Sequence, residues 1–338
     1  MKQAVMIKPG EIEFREVDAP VPGKGQVLVR VKRIGVCGSD VHVHHGKHPF
    51  TPYPVVQGHE FSGVIESLGE GVANLRLGTK VTATPQEVCG VCAPCRRGEY
   101  HICDVLKVRG FQAPGCAQEY FVTEAEKIVP LPDSFTFEQG ALVEPVAVAV
   151  HAAGRAGRLA STRAVVLGAG PIGNLVGQAA RSRGAAILIT DISDFRLEIA
   201  AKSGLAATSN PKKEPLGEAS KRIFGEKGFD LAFECAGVEA TLGAAVETIE
   251  KGGTIVVVGV FGERPRVNIG LVQDRELSLI GTLMYRYEDF TRAVELMAGG
   301  EIVTDFLDSR HFPFEEYAQA YRFIDSQADR SMKVFIDL

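Results

Sequence analysis

Cys89, Cys92, Cys95 and Cys103 follow one another as C-x2-C-x2-C-x7-C. Four thiolates at this spacing can close a tetrahedron around one Zn2+, and a site with all four positions filled has none open to a reactant, so such a metal is structural. A zinc-ribbon nucleic-acid module uses similar spacing, but Arg96 and Arg97 are the only basic pair nearby. The chain has 7 cysteines, an odd number, and its start, Met1-Lys2-Gln3-Ala4-Val5, lacks the apolar core of a signal peptide. Free or disulfide-bonded cysteines are the alternative. An odd, clustered set without a secretion signal reads instead as reduced thiols and metal in a cytoplasmic protein.

Gly168-Ala169-Gly170-Pro171-Ile172-Gly173 fits G-x-G-x-x-G. Alone, the pattern also describes a glycine turn in an unrelated α/β protein. Here it follows the apolar run Ala164-Val165-Val166-Leu167 and opens a helical stripe at Ile172, Leu175, Val176, Ala179 and Ala180, while Asp191 ends the next strand-like run. That context is the one a dinucleotide fingerprint requires: the glycines admit a pyrophosphate to a helix N-terminus, where free N–H groups favour anions. Asp191 is expected to accept hydrogen bonds from the adenosine ribose and to repel a 2′-phosphate, which favours NAD over NADP. It could also cap the segment Ile192 to Arg196. Arg196 is a candidate cofactor residue, since a nearby Arg accommodates a 2′-phosphate, or else a solvated helix residue.

Three shorter motifs carry metal-ligand types: Gly35-Val36-Cys37-Gly38-Ser39-Asp40, Gly58-His59-Glu60 and Glu144-Pro145. Each is ambiguous alone. A lone Cys is more often a small buried hydrophobe, a lone His a satisfied core residue, and a Glu in an apolar run needs a partner.

The elements that must position these residues fall into two groups. Near the N-terminus, Ile12, Phe14 and Glu16 alternate with polar neighbours, and Val27, Val29 and Val31 repeat with period two, so half-buried strands are expected. From about residue 150 the pattern changes to buried strands (164–167, 186–190, 231–233, 254–259, 277–280) separated by helical stripes such as Leu242, Val246 and Ile249, which implies a doubly wound parallel sheet. The tail has helix patterns at Phe290–Met297 and Phe314–Tyr321 and a strand at Lys333–Ile336, and is expected to return to the N-terminal domain. The fold class is therefore α/β, with domains at 1–148 plus 287–338 and at 149–286. Composition is that of a globular chain of 338 residues, 45% hydrophobic and 23% charged, with net charge −5. It contains neither a basic tract for nucleic acid nor an apolar stretch of membrane-spanning length.

Taken together and in this order, the motifs resemble the zinc-containing medium-chain alcohol dehydrogenases over essentially the whole chain. The resemblance implies a GroES-like catalytic domain beside a Rossmann domain and two Zn2+ per chain, one structural and one catalytic. Cys37 and His59 match the family's ligands. Glu144 stands where many alcohol dehydrogenases have a second Cys, which looks like the polyol (sorbitol and xylitol), butanediol and threonine dehydrogenase branch. There the Glu beside the ligand His, here Glu60, is a ligand in several members, so Cys37, His59 and Glu60 are taken as ligands with Glu144 close by. One thiolate, one imidazole and one carboxylate leave a fourth position open for alcohol, and zinc lowers the pKa of the hydroxyl it binds. Ser39 matches the family's relay hydroxyl and His42 the outer histidine that passes the proton to solvent, although His44, His45 and His48 make a merely polar loop an equal reading. Asp40 is expected to orient His59. The usual Gly-Gly pair before Glu119-Tyr120 is replaced by Pro114-Gly115-Cys116-Ala117, so the pocket is expected to differ, with Cys116 and Cys235 as packing residues. Arg286, in Gly281–Tyr287, resembles the Arg of polyol dehydrogenases that reaches substrate or bound water.

The implied reaction is oxidation of a secondary alcohol of a polyol or sugar derivative to a ketone with NAD; the alternative is threonine or a small diol. The rival classes are a zinc-free quinone or enoyl reductase and a noncatalytic NAD-binding protein. A homodimer or homotetramer is implied, with Rossmann sheets pairing at an edge near Thr254 to Val260.

Overall fold

The computed structural model describes residues 1–327 and 329–338. The chain divides into two units, Met1–Glu144 with Arg286–Ala298 and Asp308–Leu338, and Pro145–Tyr285 with Gly299–Leu307.

The first unit is built on the strand Gln26–Val36. Val27, Val29, Val31, Ile34 and Val36 are all buried, and their burial against Met6, Ile65, Val81, Phe121, Tyr317 and Tyr321 forms the core. The sheet runs in the order Asp308–Pro313, Lys333–Asp337, Gln26–Val36, Glu60–Leu68, Lys80–Ala83, Ile128–Pro130, with Tyr120–Glu124 also paired to Gln26–Val36. The last turn of the central strand thus has a neighbour on each side: Gly35 faces Glu60 across one ladder and Phe335 across the other. The alternation at Ile12, Phe14 and Glu16 produces a strand, Glu11–Glu16, but not a half-buried one. It is the outer member of a two-stranded sheet whose inner strand supplies buried Ala4, Val5 and Met6, and Phe14 stays 39% exposed with its edge on Phe314.

In the second unit Arg163–Leu167 lies at the centre, between Ala186–Thr190 and Leu231–Glu234. The full order is Thr208–Ser209, Ala186–Thr190, Arg163–Leu167, Leu231–Glu234, Thr254–Val257, Ser278–Gly281, and every pair is parallel. Numbered in chain order this is 3-2-1-4-5-6, the doubly wound arrangement that binds dinucleotides at the switch between the first and fourth strands. One sequence expectation is corrected here. Residues 299–307, assigned above to the catalytic domain, belong to the second unit, where buried Gln178 donates to the Val303 carbonyl (3.0 Å) and accepts from the Val303 N–H (2.7 Å). The segment from Thr254, expected near a sheet edge, is paired on both sides and lies one strand in from the edge strand Ser278–Gly281. Among the described residues no helix is long and apolar enough to cross a membrane.

Candidate active site

Cys37 leaves the central strand and becomes the N-cap of the short helix Gly38–His44. Its backbone N–H donates to Asp40 Oδ2 (3.0 Å), which fixes that carboxylate below the strand end. On the neighbouring strand, His59 and Glu60 arrive at the same level. One ligand atom each from Cys37, His59 and Glu60 lie within 4.8 Å of one another. Asp40 Oδ1 stands 3.6 Å from His59 Nδ1 and so directs the other ring nitrogen, Nε2, toward the cluster. Burial alone would pull His59 down, but Asp40, the Cys37 sulfur and Glu144 outweigh it and raise its pKa well above that of ordinary imidazole. A dication among the same atoms would take the place of that proton. Thiolate, imidazole and carboxylate are the donor set zinc takes, so the residues fit the metal. Ser39 Oγ donates to Cys37 Sγ at 3.1 Å. Glu144, in the helix Phe137–Arg155, is buried and acts electrostatically on His59, but is not in the group within 4.8 Å.

Four residues of this site were missed in the sequence. Lys333 is buried and its ammonium donates to both oxygens of Glu60, to Oε1 at 2.5 Å, and faces the Val36 carbonyl. Burial would lower Lys333, but Glu60 and Cys37 outweigh it and raise it. The signal was present: a lone cation at the head of the apolar run Val334-Phe335-Ile336 requires a buried partner. Gly35 is required beside it, because an added Cβ would sit 2.5 Å from Glu60 Oε2. Gln57 and Tyr321 complete the support: Tyr321 donates to Gln57 Oε1 (2.8 Å), and Gln57 Nε2 donates to the Asp40 carbonyl (3.3 Å). Burial pushes Asp40 up, against the pull of His59.

The two outer imidazoles differ in setting. Burial, with His45 and Lys47, lowers His42 and keeps it neutral. His48 is lowered by burial, with His42 and His59. It bonds Thr51 Oγ1 (2.7 Å) and stacks on Phe111, which in turn lies 4.9 Å from the His59 ring. Arg286 Nε donates to His101 Nδ1 at 3.4 Å, and the next backbone N–H donates to the Tyr100 hydroxyl (2.6 Å), so the Arg286 segment is tied to the end of the cysteine loop. Cys116 is buried beneath Gly58, whose φ is +88°, and burial raises its thiol well above the usual range, as it does for Cys235.

In the cysteine loop, Cys92 and Cys103 sulfurs are 3.8 Å apart and those of Cys103 and Cys89 3.6 Å. A tetrahedron with ~2.3 Å zinc–sulfur bonds has edges of about 3.8 Å, so the spacing fits. Backbone N–H groups of Asp104 and Cys95 lower Cys92 to about 6, while desolvation and neighbouring sulfurs push Cys95 up to about 12. None of the seven cysteines is in a disulfide.

In the second unit, Gly168 takes φ +102°, a conformation that disfavours a side chain, and a Cβ on Gly173 would run into the Gly168 carbonyl. Gly170 is the N-cap and Pro171 the first residue of the helix Pro171–Ser182, which also carries Ile172. Asp191 accepts from Ala169 N–H (2.7 Å) and Ser193 N–H (2.8 Å), so it ties the fingerprint to the turn after its strand. The cap of the following helix is Ser193. The Arg196 guanidinium lies beside Gly170.

This arrangement agrees with what the chain is similar to. Residues 23–133 match the family described as alcohol dehydrogenase GroES-like domain, and residues 171–299 that described as zinc-binding dehydrogenase. The chain is 35% identical to 2-dehydro-3-deoxy-L-galactonate 5-dehydrogenase of Pseudoalteromonas atlantica, over 97% of this chain and 96% of that one. It is 30% identical to sorbitol dehydrogenase of Bacillus subtilis, over 94% and 90%. A crystal structure of an Escherichia coli CFT073 alcohol dehydrogenase complexed with NADH superposes with a TM-score of 0.92 at 31% identity, over 100% of this chain and 99% of that one. The chain therefore belongs to the zinc-containing medium-chain alcohol dehydrogenases and is a polyol dehydrogenase-like enzyme.

Proposed function

We propose that this enzyme oxidises a secondary hydroxyl of a polyol or sugar acid to a ketone, with NAD as hydride acceptor. The observation that carries the reading is the convergence of half-buried Cys37 with buried His59 and Glu60, with the Ser39 hydroxyl 3.1 Å from the Cys37 sulfur. Those three residues hold the catalytic zinc, and Glu144 adds negative charge nearby. When bound, zinc supplies a Lewis acid that acidifies the substrate hydroxyl. Ser39 accepts the released proton, and neutral His42 passes it to solvent. Arg286, steadied by His101, pairs with a substrate carboxylate or hydroxyl. Similarity to a galactonate-derivative dehydrogenase and a sorbitol dehydrogenase supports this substrate class.

NADH production is expected with aldonates or polyols and not with threonine or 2,3-butanediol. Turnover of only the latter pair would replace the substrate class while leaving the zinc chemistry in place. The neutral, near-isosteric Asp191→Asn keeps one of the two oxygens that accept from Ala169 and Ser193 and loses the repulsion of a 2′-phosphate. It is expected to lower the preference for NAD over NADP about 100-fold, read as a ratio of kcat/KM values; an unchanged ratio would assign selectivity elsewhere.

Cys89, Cys92, Cys95 and Cys103 hold a second, structural zinc. Cys103→Ser is expected to remove one zinc per chain and to lower the heat-inactivation midpoint by roughly 10 °C, the shift for ~3–4 kcal/mol in a unit of this size, with initial activity at 25 °C kept. Full zinc content in that variant would refute the assignment. Cysteines that hold metal and form no disulfide suit a reducing cytoplasm. The chain works as a homodimer or homotetramer, Ser278–Gly281 being the longer of the two edge strands open to pairing.

A further inference from the structure

A third group of metal-ligand side chains lies away from both zinc clusters. His44 ends the short helix Gly38–His44, His45 caps it, and Asp325 is on the helix Tyr317–Gln327. One ligand atom from each comes within 4.8 Å of the others. We propose that His44, His45 and Asp325 form an exchangeable binding site for a transition-metal dication.

The geometry already has the shape of one edge of such a site. His45 Nε2 and Asp325 Oδ2 are 3.0 Å apart. Two donors at right angles about an ion, with bonds of ~2.1 Å, stand about 3.0 Å from each other. His44 is the third donor, and it is held rigidly: its ring stacks on buried Tyr321, centroids 4.4 Å apart and planes within 5°. Stacking fixes the ring plane and leaves its edge for a ligand. His44 Nδ1 is shielded from solvent and has no hydrogen-bond partner, which is costly for an imidazole left without a metal or a proton acceptor. Burial, with His45 adding to it, lowers His44, so the ring is neutral near pH 7, the form that binds metal. Two imidazoles and one carboxylate select zinc, nickel or copper over magnesium or calcium, which prefer all-oxygen sites. Three ligands, two of them exposed, give a site that exchanges with solution.

The test uses the zinc-loaded enzyme titrated with Ni2+, with nickel and zinc counted per chain after equilibrium dialysis. Wild type is expected to take up one Ni2+ with micromolar affinity while its zinc content stays fixed. His45→Gln and Asp325→Asn are each expected to weaken that uptake at least tenfold without changing alcohol oxidation in metal-free buffer. His48→Gln, which removes a nearby imidazole outside the group, is expected to leave uptake unchanged. No added Ni2+ in wild type, equal uptake in His45→Gln and Asp325→Asn, or loss in His48→Gln would each overturn the proposal.

Discussion

His59→Ala is expected to lose one zinc per chain and to lower kcat/KM for alcohol oxidation by about 10⁴-fold, equivalent to ~5.4 kcal/mol. The size follows from how little else at this site can acidify a hydroxyl. Ser39 can carry a proton but cannot stabilise the negative charge left on the substrate oxygen, and Lys333, the buried cation of the first unit's site, is committed to Glu60. Loss of the imidazole also leaves Asp40, fully buried, facing a void with only the Cys37 N–H and the weak Gln57 contact at 3.4 Å. A partial loss of folding is therefore part of the forecast, and two controls separate it from loss of chemistry. Cys37→Ser removes a ligand but leaves the Asp40–His59 pair, and is expected to show the same loss of zinc and activity. NADH binding, followed by fluorescence, is expected to survive in both, because the fingerprint residues and Asp191 belong to the second unit. Two zinc ions per chain in either variant, or activity within tenfold of wild type, would remove Cys37 and His59 from the metal.

What could be read from the sequence was what local spacing encodes. The cysteine loop closes on itself within a few turns of chain, so its spacing is nearly its geometry. The glycine fingerprint is likewise local: strand, turn and helix follow one another directly, and Asp191 is one strand further on. Cys37 and Glu60 entered as candidates only through the family resemblance, because their short motifs are ambiguous when read alone. What was not legible depends on strand pairing. Lys333 reaches Glu60 from 273 residues away, because the last strand lies against one side of the central strand and Glu60 lies against the other. Tyr321 supports Gln57 across 264 residues, from the helix Tyr317–Gln327 packed on that sheet. The exposed strand Glu11–Glu16 shows the opposite failure: alternation predicted a strand, but burial depends on what lies over each face, and its sheet has only two strands. Residues 299–307 were misassigned because they are held by Gln178 and Arg181, side chains of the helix Pro171–Ser182 that no motif marks.

Lys333→Met tests the largest of these unread interactions. The Glu60 and Lys333 side chains are 1% and 4% exposed, so neither charge can turn to water. Removing one partner of such a pair leaves an uncompensated buried charge and costs about 3–5 kcal/mol, whereas replacing both by neutral groups of similar shape is often neutral or stabilising. Lys333→Met is accordingly expected to destabilise metal-stripped enzyme by ~3–5 kcal/mol in urea, and Glu60→Gln/Lys333→Met to recover most of that loss. Zinc adds a second way to tell what Glu60 does. With the ammonium gone, the carboxylate has only the metal left to neutralise it, so zinc is expected to restore more stability to Lys333→Met than it adds to wild type. It is also expected to bind the single variant more tightly than the double variant. Equal stabilisation by zinc in the single and double variants would mean that Glu60 serves Lys333 alone and that Glu144 supplies the carboxylate. Unchanged stability of metal-stripped Lys333→Met would mean that the pair is not the buried ion pair that its distances and burial describe.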